Sequence, residues 1–110
     1  MDIDNISLFD LLVLLSKVPD EGYEIIDREK NFEFRTRYNI LVSDIYQVIR
    51  ELTIDDYVKG PVPDDNPNRK HPVWIFKKKV FGTRCYIKIK LINKGRKVIV
   101  ISFHKDEGND

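Results

Sequence analysis

The chain is poor in the residues that build most catalytic centres. It has one cysteine, Cys85, and two histidines, His71 and His104. A single cysteine excludes an internal disulfide and a cysteine-based zinc cluster, and two histidines are a thin supply for a metal site. No glycine-rich phosphate loop and no nucleophile elbow occur. The carboxylates crowd into the half of the chain that reads as scaffold, which argues against a two-metal nuclease. Long apolar runs are missing as well. The longest, residues 11–15, is closed by Asp10 and Ser16, far short of the ~20 residues that a bilayer crossing needs. The opening Met1-Asp2-Ile3-Asp4 is acidic, where a secretory leader begins with basic residues. These absences lead to the expectation of a soluble, cytoplasmic protein that uses no cofactor and no metal.

The most informative absence is local. Residues 1–65 hold seven Lys/Arg against fifteen Asp/Glu, whereas residues 66–105 hold twelve Lys/Arg and no acid. Asp106, Glu107 and Asp110 then follow, so that the whole chain carries a formal charge of only +1. Such a stretch has two readings. One is a solvated basic face that offsets an acidic half. The other is a footprint for phosphates, because clustered cations bind nucleic acid by releasing counterions.

At 110 residues the chain suits one domain, expected to span 1–110 with flexible tails at 1–5 and 106–110. Apolar periodicity predicts a helix over 6–17, with Ile6, Phe9, Val13 and Leu14 on its inner face and Asp4 or Asn5 as its cap. Two short extended segments, 23–26 and 32–34, flank a polar turn. A second helix is expected from a Ser43 cap to Leu52, with Ile45, Val48, Ile49 and Leu52 as its stripe. Thr53 and Asp56 have the spacing of a capped single turn. Gly60, Pro61, Pro63 and Pro67 mark residues 60–71 as a loop. Strands at 73–80, 84–92 and 97–103 should pair as an antiparallel meander. The class is α+β: N-terminal helices packed on an antiparallel sheet that ends in a three-stranded meander.

Alternation along the middle strand sends Cys85, Ile87, Ile89 and Leu91 to a core, and Arg84, Tyr86, Lys88 and Lys90 to the other face. The last strand is apolar at every position from Val98 to Ile101 and should be central. It then changes to Ser102-Phe103-His104, which places a histidine near a face that bears Tyr86 and two lysines. Tyr, His, Lys and Arg suffice for metal-free cleavage of RNA, because the substrate brings its own nucleophile, the 2′-hydroxyl. The protein must move two protons and neutralise the crowded phosphate. The products would be a 2′,3′-cyclic phosphate, or its hydrolysed form, and a 5′-hydroxyl, and DNA would be inert.

Three blocks carry a resemblance. They are Thr53-Ile54-Asp55-Asp56-Tyr57-Val58-Lys59-Gly60-Pro61, then Cys85-Tyr86-Ile87-Lys88-Ile89-Lys90-Leu91 after a Trp74-containing strand, and Val98-Ile99-Val100-Ile101-Ser102-Phe103-His104. In this order they are similar to segments of the MqsR (motility quorum-sensing regulator) family of toxins, over roughly residues 40–105. The resemblance implies a RelE-like fold, endoribonuclease activity on mRNA and neutralisation by a cognate antitoxin. It places the family's functional positions on Lys59, Tyr86 and His104. Two departures stand out: the family has Lys where this chain has His104, and Gln where it has Ile75. An imidazole suits proton transfer at neutral pH, and the missing Gln removes any ground for transferring a cleavage sequence.

The candidate catalytic set is therefore Lys59, Tyr86 and His104, with Lys77, Lys79, Arg84, Lys88, Lys90 and Lys105 as RNA-binding cations. The expected partners are mRNA and an antitoxin, with the ribosome a further candidate. Each residue has a plainer reading. A strand tyrosine packs across strands, a histidine caps a strand end, and a lysine at a sheet edge resists aggregation. Trp74 reads as core, with base stacking as its lesser alternative; Cys85 reads as core, and His71 is given no role. A non-catalytic RNA-binding or ribosome-associated module would use the same basic face, and so would a domain that docks an acidic protein.

Overall fold

The computed structural model describes residues 2–108. Ser7 starts helix α1 (Leu8–Lys17), its Oγ accepting the Asp10 N–H at 3.1 Å. The cap is thus Ser7 and not Asp4 or Asn5, because Asp2 already caps a short 3-10 turn over Ile3–Asn5. Leu11 and Leu15 are fully buried, with Ile6 and Val18 above and below them. The expected inner face is corrected here, since Phe9 is 71% exposed and Val13 is also exposed. A run that is apolar on every side does not reveal which side faces the core. The Ser7 cap fixes the start and hence the phase.

Strand β1 (Tyr23–Ile25) forms as expected, but the second extended segment does not. Residues 32–34 lie inside helix α2 (Glu29–Tyr38), which closes on Asn39 in the left-handed conformation. Only Asn31 and Phe34 of this helix are buried, so half of its inward stripe is polar and invisible to apolar periodicity. Helix α3 (Val42–Arg50) starts one residue before the expected cap. The Asp44 carboxylate accepts the Leu41 N–H at 3.1 Å, and Leu52 is buried beyond the helix end. The turn at Ile54–Asp56 forms as read, with Asp56 accepting the Thr53 N–H at 2.9 Å.

Strand β2 (Tyr57–Val62) occupies part of the expected loop. It is an edge strand with two register shifts, a place where a residue without an N–H is tolerated. Gly60, at φ 139°, lies so close to the Trp74 backbone that a Cβ would meet it at 2.9 Å. Strands β3 (Val73–Val80), β4 (Thr83–Ile92) and β5 (Lys97–Lys105) make the antiparallel meander. The strand order is β1-β5-β4-β3-β2. Strand β1 adds to β5 in parallel, Tyr23 opposite Val98 and Ile25 opposite Val100. The sheet is therefore mixed where an antiparallel one was expected. A parallel neighbour needs a long crossover, here the α2–α3 segment and the meander.

One core joins the helices to one face of the sheet. Leu11, Leu15, Ile45 and Ile49 pack with Phe76, Ile87, Ile89, Val98, Val100 and Phe103. Of the expected tails, Met1, Asn109 and Asp110 lie outside the described residues. Within them, Ile3 is buried, and the Asp106 N–H donates to the Arg84 carbonyl at 2.8 Å.

Candidate active site

Strand β4 keeps its alternation: Cys85, Ile87 and Ile89 are fully buried on the core face. Strand β5 does not keep its own. Lys88 pairs with Ser102, yet Ile89 pairs with Val100, so Ile101 is an extra residue. Before this bulge Val98 and Val100 fill the core; after it Phe103 does. A one-residue slip exchanges the faces of a strand, and it brings Ser102 and His104 to the outer face. Without it, His104 would point where Val98 and Val100 point.

The bulge sets His104 directly opposite Tyr86. Their rings stack, with centroids 5.5 Å apart and planes at 22°. His104 Nδ1 lies 2.9 Å from the Lys105 carbonyl. A carbonyl oxygen only accepts, so Nδ1 carries the hydrogen, and Nε2 is the basic nitrogen of the neutral ring. The pair lines an open cleft of about 530 Å³ together with Lys88, Ser102, Arg28 and Lys30. Arg28 is the N-cap residue of α2 and donates to Ser102 Oγ at 3.3 Å.

Cross-strand register places the other candidates. Lys77 is opposite Tyr86, and Lys79 is opposite Arg84, all on the outer face. Lys59 is opposite Ile75, which is opposite Lys88. Lys59 thus sits two strands from Lys88, on the order of 10 Å away, and does not line the cleft. Lys105 is opposite Cys85, on the core side, and is exposed at the strand end. The structure brings Tyr86, His104 and Lys88 together and leaves Lys59 and Lys105 outside that group.

Lys90 is a correction. It is buried, with Asp64 at 2.5 Å and the Lys70 carbonyl at 2.8 Å. It pins the loop before β3 onto the sheet and does not present a charge to solvent. Lys88 faces Asp65 of the same loop at 3.4 Å. At the other end of the face, Asp106 sits 3.2 Å from Lys77 and 3.3 Å from Arg84. The acid-free stretch is therefore interleaved in space with acids that flank it in sequence. Burial alone would raise the Asp64 carboxyl, but the Lys90 hydrogen bond, the Asn66 N–H and nearby positive charge hold it below the usual range. Asp106 follows the same pattern, with burial overcome by the Gly108 N–H, Lys77 and Arg84.

Trp74 and Cys85 are core, as read, and burial pushes the Cys85 thiol up to about 11. Sequence reasoning missed Arg28 and Ser102. Arg28 stood in what read as a polar turn, and only the helix beginning there directs it to the cleft. Among the described residues no cluster of three His, Cys, Asp or Glu side chains is arranged to hold a metal ion. No helix among them is long and apolar enough to cross a membrane.

Fold and site together define a small α+β domain with an open cleft on the outer face of a mixed sheet, where Tyr86 and His104 stand among Arg28, Lys30 and Lys88 and beside Glu29 and Glu107. The model of the family described as motility quorum-sensing regulator, toxin of MqsA, matches residues 9–105. The chain belongs to that family. It is the toxin of a toxin–antitoxin pair, and a cognate antitoxin is its implied partner. No curated protein and no solved structure matches the chain.

Proposed function

We propose that this toxin is a metal-independent endoribonuclease that cuts mRNA through the RNA's own 2′-hydroxyl. The observation that carries the reading is the stacked Tyr86–His104 pair in a cleft flanked by Lys88 and Arg28. His104 Nε2 takes the proton of the 2′-hydroxyl, and the freed oxygen attacks the adjacent phosphorus. The bond from phosphorus to the 5′-oxygen breaks, and the Tyr86 hydroxyl protonates that leaving oxygen. The products are a 2′,3′-cyclic phosphate and a 5′-hydroxyl. Lys88 adds positive charge where the phosphate becomes more negative.

The remaining cations extend the track for the RNA backbone. Lys79 is exposed beside Arg84, Lys77 and Arg84 share Asp106, and Lys59 continues the face toward the sheet edge. These residues contact phosphates and read no bases, so they fix position and not sequence. The ribosome is a candidate setting, because an open cleft accepts a strand held by a larger body.

The test is cleavage of a long mRNA by the purified toxin in EDTA, with and without translating ribosomes, followed by end-group analysis. Discrete cuts with 5′-hydroxyl ends support the reading. Intact RNA in both settings, from a folded sample that still binds RNA, makes the toxin a binding module instead.

A further inference from the structure

We infer that Arg28 is the catalytic residue that grips the scissile phosphate, an assignment that rests on the ribonuclease reading above. Its backbone is fixed on both sides. The Arg28 N–H donates to the Ile26 carbonyl at 2.9 Å, and the Arg28 carbonyl accepts the Phe32 N–H at 2.9 Å. One turn on, the buried Asn31 side chain ties the helix to strand β5 at Ile101 and Phe103. The arginine is therefore held in register with the strand that carries His104.

Ser102 aims the side chain. It lies two residues before His104 on the same face, about 7 Å along the strand. One guanidinium nitrogen donates to its Oγ, while the residue as a whole is exposed. The guanidinium is a rigid fork of five donors, so one arm on Ser102 leaves others for a phosphate oxygen pair. The start of a helix adds positive potential at the same place.

Charge pairing singles Arg28 out. Among the described residues, the other cations of the cleft are each matched to a carboxylate, Lys30 to Glu107 at 2.6 Å and Lys88 to Asp65 at 3.4 Å. Arg28 is paired with no carboxylate among them. Its charge is available to an incoming anion without first breaking an ion pair. Arginine also stays protonated throughout, which suits a group that stabilises charge beside two residues that move protons. Arg28 and Lys88 also line a second hollow of about 250 Å³, beside Asp64 and Asp65.

The experiment is single-turnover cleavage of a short RNA at saturating protein in EDTA, for the unmodified toxin, Arg28→Ala, Arg28→Lys and Ser102→Ala. Binding is read in parallel with the same oligonucleotide made of 2′-deoxy sugars, and folding by thermal melting. Arg28→Ala is expected to slow cleavage by about 100-fold, the scale of losing one charge-stabilising donor. Arg28→Lys should lose about tenfold, since an ammonium cannot reproduce the fork. Binding of the deoxy strand should change much less than the rate in each. Ser102→Ala should show a smaller loss in the same direction. Cleavage by Arg28→Ala within about threefold of the unmodified rate overturns the assignment. If Arg28→Ala does not fold, Arg28→Lys decides, and an unchanged rate in that variant overturns it. If the unmodified toxin does not cut RNA at all, it is the ribonuclease reading that fails.

Discussion

Asn31 stands in for a missing strand beside Phe103. Its Oδ1 accepts the Phe103 N–H at 3.0 Å, and its Nδ2 donates to the Ile101 carbonyl at 3.0 Å and the Ile26 carbonyl at 3.1 Å. Strand β1 accompanies β5 through Val100. Past that point this side chain, fully buried, satisfies the backbone on either side of Ser102.

Replacing Asn31 with Ala leaves those backbone groups buried and unpaired. The expected loss is about 3 kcal/mol of stability in urea titrations. A second effect should appear in any Asn31→Ala sample that folds. Cleavage should fall as well, because the start of α2 and the bulge in β5 lose their shared tie.

That tie also shows what was legible in the sequence and what was not. Strands β3, β4 and β5 were readable because Ile87, Ile89, Val98 and Val100 alternate or run together, as burial on a sheet demands. Helix α2 was not, because its inward residue Asn31 is polar. Its value lies in hydrogen bonds to Ile101 and Phe103, some seventy residues on in the chain, and no local pattern announces them. Tyr86 and His104 were legible as residue types on a basic strand pair. Their meeting depends on Ile101 being supernumerary, which single-strand periodicity does not reveal. Lys90 misled for the opposite reason: an alternating lysine reads as exposed until Asp64 folds over it.

Asp106→Asn should strengthen RNA binding. Asp106 engages both Lys77 and Arg84, so an incoming phosphate competes with it. Fluorescence anisotropy with a 2′-deoxy strand should show affinity rising roughly threefold at low salt, with the gain shrinking as salt increases. Unchanged affinity would mean that those two cations lie off the RNA path.

The pH dependence of stability has two arms. Asp64 and Asp106 are held below the usual carboxylate range in the folded toxin. Their contribution is complete above the ordinary value near 4 and is lost as pH falls through the lowered folded values. Burial pushes Tyr23 up to about 12 against the partial pull of Arg50. Its contribution is complete below about pH 10 and disappears as pH rises through the folded value, about 2–3 kcal/mol in all. Urea melts should show both arms. Tyr23→Phe should shrink the alkaline arm, leaving the share due to the buried Cys85 thiol and Tyr46, both also pushed up, while costing about 1 kcal/mol at neutral pH, because the hydroxyl donates to the Leu15 carbonyl.

Cys85 should resist alkylation. Its thiol is buried and pushed up to about 11, and the reactive form is the thiolate. At pH 8 iodoacetamide should modify it only in denaturant. Rapid labelling of the folded toxin would show that β4 opens locally.

The most direct test of the account is single-turnover cleavage in EDTA by His104→Ala and Tyr86→Phe beside the unmodified toxin. The substrate is one RNA, tested with and without a single 2′-deoxy sugar at the cut. The account predicts that each variant folds, still binds RNA, and cuts at least about 100-fold more slowly, and that the deoxy position stays intact with every protein. Undiminished cutting by either variant, or scission at the deoxy position, would contradict it.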